Sequence, residues 1–157
     1  MKKVTIRTLQ VAVAARLAAG TVHALDIEPE MIETVRAKGL EAGAANVRAE
    51  VRDFVAAGTG LPESSVDAAL LFNILHHEEP IALMAEAWRI LRRGGRLAVI
   101  HWNYDPITPR GPSLDIRPRP EQCIAWGKRV GFTFDERERF DLPPYHYGLL
   151  FRKSENE

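Results

Sequence analysis

The stretch Ala24-Leu25-Asp26-Ile27-Glu28-Pro29-Glu30-Met31 decides the fold. An apolar run that begins at Thr21 ends on a carboxylate, and Pro29, pre-set for the first turn of a helix, follows almost at once. The spacing predicts a strand from Thr21 to Asp26 and a helix from Pro29 that Gly39 can close. The same grammar recurs downstream. In Asn46 to Asp53, Val47, Ala49 and Val51 alternate with polar residues, while Val66 to Asn73 is nearly all apolar, as expected of a strand covered on both faces. A helix starting near Pro80 and running through Leu83, Ala87, Ile90 and Leu91 should stop at Gly94-Gly95 and feed a strand from Arg96 to Trp102. Short Val, Ile and Leu runs alternating with helical patterns predict an α/β fold: a Rossmann-like, mainly parallel sheet with helices on both faces.

The last third reads differently. Asn103 to Pro120 is rich in proline and reads as a long surface loop of the kind that often closes over a site. A helix from Pro120 to Val130 ends at Gly131. Two strands, about Thr133 to Phe140 and Tyr147 to Lys153, flank Pro143-Pro144 and predict a C-terminal antiparallel hairpin. Residues 1–153 are expected to form one domain and 154–157 a disordered tail.

Composition narrows the function classes. The 157 residues suit one domain of ordinary size, and 21 Lys plus Arg balance 21 Asp plus Glu, so no net charge draws the protein to nucleic acid or to an anionic membrane. No apolar run approaches the roughly 20 residues that span a bilayer, and Arg7, Gln10 and Arg16 interrupt any apolar signal segment. The single cysteine, Cys123, cannot close an internal disulfide and reads as a small semi-buried apolar residue. A cytoplasmic protein is the expectation.

Chemistry should gather at the strand ends. In α/β sheets ligands bind in the crevice outside the carboxyl ends of the strands, where a carboxylate such as Asp26 can accept from both hydroxyls of a ribose. A helix N-cap is the structural alternative for Asp26. Asp53 ends the next strand, where a carboxylate can take the exocyclic amino group of an adenine and the Phe54 N–H can reach a ring nitrogen. A polar turn is the alternative there. Asp67 to His77 places Phe72, Asn73, His76 and His77 at a third strand end, which is the expected place of reaction. A metal held by His76, His77, Glu78 and Glu79 is not expected, because adjacent side chains diverge and no third spaced histidine follows.

In order and spacing, Ala24 to Met31, Asp53, Leu61-Pro62, Ser65-Val66-Asp67, Phe72 to His77 and Arg89 to Leu97 together resemble the small-molecule class I S-adenosylmethionine-dependent methyltransferases, often grouped with the enzymes of ubiquinone and menaquinone biosynthesis. The likeness covers about Thr21 to Trp102 and continues more loosely to Lys153. It implies a seven-stranded sheet with an antiparallel last strand, S-adenosylmethionine as cofactor and S-adenosylhomocysteine as product. On that pattern Asp26 holds the ribose, Ile27 packs on the adenine, Asp53 and Phe54 read the adenine edge, and Phe72 with Asn73 lines the methionine moiety. Apart from that pattern, His76 or His77 is the first choice for a base because histidine titrates near neutral pH, with His101 and Tyr104 as second choices, and His101, Trp102 and Tyr104 are expected at the acceptor pocket. The partner would be a small molecule, and the target atom is not specified.

One part of the pattern is missing. The family's first strand ends in a glycine-rich turn, yet no glycine precedes Gly20. A strand Val4 to Thr8 and a helix Val11 to Ala19 can be drawn, but the join at Leu9-Gln10 is nearly absent, and non-glycine residues resist the positive φ such turns use. A truncated or frame-altered N-terminus, a variant mode of cofactor binding, and a catalytically impaired binding or interaction protein are all compatible. A shifted or missing first strand would expose the middle of the sheet, which makes a homodimer an expectation. A nicotinamide-dependent oxidoreductase is the rival enzyme class, and it too needs a glycine fingerprint. Asp141-Leu-Pro-Pro-Tyr145 mimics a nucleic-acid methyltransferase motif, but Leu142 interrupts it and a turn is the better reading.

Overall fold

The computed structural model describes residues 9–17 and 19–155. The strand drawn over Val4 to Thr8 lies outside them. Six strands and five α-helices are formed among the described residues, and the chain divides into two compact units, residues 1–60 and 61–157. Parallel and antiparallel pairing both occur, giving the expected mixed α/β architecture.

In the first unit α1 (Leu9–Ala14) precedes β1 (Val22–Asp26), α2 (Pro29–Glu41), β2 (Val47–Val51) and the short α3 (Phe54–Ala57). Strands β1 and β2 run parallel, with Val22 opposite Val47 and Asp26 opposite Val51. Their shared apolar cluster is built on Val11, Ala24 and Val35, against which Ala44, Val47 and Ala49 pack. Two boundaries move from the sequence reading. Helix α1 stops at Ala14 rather than Ala19, and α2 passes through Gly39, which is buried, to Glu41. The turn that ends α2 is made instead at Gly43, whose φ of 63° suits glycine.

The second unit holds β3 (Val66–Phe72), α4 (Pro80–Ile90), β4 (Leu91–Trp102), α5 (Pro120–Val130), a 3-10 turn (Glu136–Glu138), β5 (Arg139–Leu142) and β6 (His146–Arg152). The sheet order is β3-β4-β6-β5, with β3 parallel to β4 and the β5–β6 hairpin antiparallel. Leu97, Val99, Tyr147, Leu149 and Phe151 are buried, and α5 comes so close over them that a Cβ on Gly127 would lie 2.5 Å from the Phe151 ring.

Two expectations change here. Helix α4 ends at Ile90, ahead of Gly94-Gly95, because Leu91 turns to extended backbone and the buried Lys153 ammonium donates to the Trp88 and Leu91 carbonyls, both at 2.7 Å. The glycines fall instead in an irregularity of the β3–β4 ladder, between the pairs Val66–Leu91 and Ala68–Arg96. The first hairpin strand is shorter than Thr133 to Phe140: Asp135 accepts from the Arg137 backbone N–H and pairs with its guanidinium, closing a turn that interrupts the extended chain. Finally, β3 is expected to be covered on both faces, and among the described residues its Leu70 side chain is 37% exposed.

Candidate functional site

The first unit brings Asp26 and Asp53 to the same edge. The Asp26 carbonyl accepts from Arg52 N at 2.8 Å, continuing the β1–β2 ladder by one step, so the next residue, Asp53, leaves the sheet beside the end of β1. Asp26 is not the N-cap of α2. That position is Glu28, and Asp26 Oδ1 accepts its backbone N–H at 2.9 Å, which fixes the carboxylate in a turn above the strand end. Asp53 is a cap: its Oδ1 accepts from Ala56 N at 3.0 Å, and Phe54 becomes the first residue of α3. Each carboxylate thus spends one oxygen on local backbone. Ile27, the residue after Asp26, is 56% exposed, a large apolar side chain left open just beyond the end of β1.

The second unit gathers Asn73, His76, His101 and Trp102. Asn73 N donates to the Ile100 carbonyl at 2.7 Å, which sets the end of β3 next to that of β4, with Phe72 opposite Ile100. Asn73 adopts a φ of 53°, a left-handed conformation that asparagine tolerates better than most residues and that ends the strand sharply. Its amide Nδ2 lies 3.4 Å from His146 Nε2, while its Oδ1 is buried without a hydrogen-bond partner among the described residues. Such orphaned acceptors are uncommon in native proteins and call for an explanation.

His76 and His101 form a pair, with His76 Nδ1 3.3 Å from His101 Nε2 and the rings edge to face. His101 is wholly buried, and burial brings its imidazole down to about 4. Burial, followed by the charge of His77, lowers His76 as well. His77 is exposed, and its Nδ1 accepts from Glu79 N at 3.1 Å, so its neutral ring carries the proton on Nε2. Trp102 stacks on His146 with ring centroids 4.2 Å apart. Tyr104 is exposed and carries the Arg119 guanidinium 3.8 Å over its ring.

His146 was not foreseen. The expected last strand begins at Tyr147, one residue late, and extending it back one residue would have put His146 opposite Trp102, where it lies. Arg117 was also missed. It is 6% exposed and organises the long loop by donating to the carbonyls of Asn103 and Pro112 and to the Thr108 hydroxyl. Among the described residues no cluster of three or more His, Cys, Asp or Glu side chains could hold a metal ion. None of the described helices is long and apolar enough to cross a membrane.

A family model described as a methyltransferase domain matches residues 8–99, more than half of the chain. The chain belongs to the methyltransferase domain family. Among solved structures, a S-adenosylmethionine-dependent methyltransferase from Aquifex aeolicus is similar with a TM-score of 0.78 at 20% identity, over 90% of this chain and 73% of that one. A type 11 methyltransferase from Sulfolobus solfataricus gives 0.68 at 27% identity, over 88% and 75%. The fold also matches the [4+2]-cyclase SpnF, at 0.65 and 16% identity over 94% and 80%. A protein of transposon TN4556 from Streptomyces fradiae is 33% identical over 98 residues, 62% of this chain. The chain spans 27% of that curated relative's length.

Proposed function

We propose that the protein transfers a methyl group from S-adenosylmethionine to a small-molecule acceptor. The observation that carries this reading is the pair of carboxylates at the carboxyl ends of the parallel strands β1 and β2, joined through the Asp26–Arg52 backbone hydrogen bond. With Oδ1 engaged by Glu28, Asp26 keeps Oδ2 to accept from a ribose hydroxyl, and Asp53 can accept from the adenine amino group beside the first turn of α3. The exposed Ile27 side chain is suited to an adenine face and Phe54 to its edge. Membership of the methyltransferase domain family and the resemblance read from the sequence support the same cofactor.

For the second unit, the resemblance read from the sequence supports Phe72 and Asn73 as the lining of the methionine moiety, and the buried Asn73 Oδ1 has no hydrogen-bond partner among the described residues. When bound, the cofactor supplies an electrophilic methyl on a sulfonium, and the bonding pair leaves with the sulfur. The chain then has to position the acceptor and, for an acceptor bearing a proton, remove it. His76 is the better placed base, because the one lone pair of neutral His77 is already committed to the Glu79 backbone N–H. Trp102 and Tyr104 would wall the acceptor pocket, with His101 behind His76. Equal numbers of acidic and basic residues favour a small acceptor over a polyanion.

Calorimetric titration tests the proposal. Saturable binding of S-adenosylmethionine and S-adenosylhomocysteine, with none of NADH, is expected. No saturable binding at millimolar ligand would end it and leave the binding-or-interaction alternative. Self-association is proposed from the sequence reading alone, in which a shifted or missing first strand leaves the middle of the sheet to be completed by a partner. A monomer at high concentration in light scattering would exclude it.

A further inference from the structure

We infer that His101 is a positioning residue that fixes the tautomer of His76, holding its proton on Nδ1 so that Nε2 presents a lone pair as the base. This rests on the methyl-transfer reading only for what the base is used for. The tautomer itself follows from geometry.

His101 is wholly buried, so each ring nitrogen must be matched by what surrounds it. The Trp102 carbonyl oxygen lies 3.5 Å from Nδ1 and His76 Nδ1 lies 3.3 Å from Nε2. Of the four tautomer combinations of the neutral pair, two place a single proton between the facing nitrogens. If the His101 proton sat on Nε2, it would donate to His76 Nδ1, and the bare Nδ1 of His101 would face the lone pairs of the Trp102 carbonyl. With the proton on Nδ1, the N–H dipole points at that carbonyl, and the Nε2 lone pair accepts from His76 Nδ1–H. Only the second arrangement sets a donor against an acceptor at both contacts. It leaves Nε2 of His76 unprotonated. His101 lies in β4 opposite Tyr147 of β6, whose ring is tilted against it at 6.3 Å and whose hydroxyl donates to the Pro118 carbonyl at 3.0 Å.

In turnover the acceptor loses a proton as it gains the methyl group. That proton passes to Nε2 of His76, which becomes an imidazolium, while His101 stays neutral and continues to accept from Nδ1–H. A second protonation at His101 is disfavoured by its burial and by the charge on His76. The buried imidazole thus acts as a fixed acceptor that orients the base, as a hydrogen-bond partner on one ring nitrogen does generally for the other.

Long-range proton–nitrogen NMR of the 15N-labelled full chain at pH 7.5 tests this, with His76 assigned by its loss in His76→Gln. The expected spectrum has both His76 and His101 with a protonated Nδ1 and a bare Nε2. In His101→Phe the acceptor is removed, and His76 is expected to revert mainly to the Nε2–H form. His101→Gln, which retains an acceptor oxygen, is expected to restore the Nδ1–H form in part. A wild-type His76 that carries its proton on Nε2 overturns the inference, and this arm needs no variant to fold. An unchanged His76 tautomer in a folded His101→Phe overturns it equally. Neither readout requires bound cofactor, so failure of S-adenosylmethionine to bind would bear on the proposed function alone.

Discussion

Lys153 Nζ donates to the Leu91 carbonyl at 2.7 Å from a site only 8% exposed, and the same ammonium takes the Trp88 carbonyl and lies 5.0 Å above the Trp88 ring. A cation at the C-terminus of α4 meets the negative end of the helix dipole and two carbonyls that have no partner within the helix. Replacing it with methionine keeps the aliphatic stem and strands both acceptors. We expect Lys153→Met to lower unfolding free energy by about 2 kcal/mol in urea titration, since each buried orphan costs roughly 1–3 kcal/mol. An unchanged midpoint would show that water replaces the ammonium freely.

Gly127 is set by close approach rather than by backbone freedom. Alanine is the better helix former by about 1 kcal/mol, but its Cβ would stand 2.5 Å from Phe151 Cε1, and Phe151 is itself buried against Phe132 and Phe134. Overpacking should win. Gly127→Ala is expected to destabilise by about 1–3 kcal/mol, and Phe151→Leu in the same chain should recover part of the loss. A stabilised Gly127→Ala would mean that α5 shifts at little cost.

The buried Cys123 thiol is pushed up to about 11, chiefly by burial. At pH 8 the thiolate that reacts with alkylating reagents is therefore scarce, and the sulfur has no exposed surface. Iodoacetamide should leave the native protein unmodified for hours and label it stoichiometrically in urea. Rapid native labelling, read by mass spectrometry, would contradict the packing of α5 on β6.

Acid stability should report on His101. An unfolded imidazole titrates near 6.5 and the folded one at about 4, so below pH 6.5 the unfolded chain takes up a proton that the folded chain refuses. Stability is full above that value and is lost as the pH falls toward 4, by about 3 kcal/mol in all. Urea midpoints measured across this window should slope less steeply for His101→Gln. Equal slopes would mean that another group carries the acid sensitivity.

Local grammar made much of this legible. The apolar run to Asp26 with Pro29 behind it, and the Val66 to His77 run, placed their strands and strand ends because side-chain period and turn residues act within a few positions. What the sequence concealed is long-range. Gly94-Gly95 looked like the stop of α4, but the stop is set by Lys153, more than sixty residues away in sequence. Asp26 could be read as a cap or a ligand, and only its bond to Glu28 N separates it from the cap position. The His76–His101 pair joins two strand ends by way of the β3–β4 register, and His146 joins them through β6, which starts one residue before the Tyr147 that the sequence pattern suggests.

The most direct test of the account is the affinity of S-adenosylhomocysteine for Asp26→Ala against wild type, measured by calorimetry on samples of matched thermal midpoint. Hydrogen bonds to a carboxylate are each worth about 1.5–3 kcal/mol, so a loss of roughly 10- to 100-fold is predicted. Wild-type affinity in the folded Asp26→Ala protein would contradict the assignment of the β1 carboxyl end to the ribose.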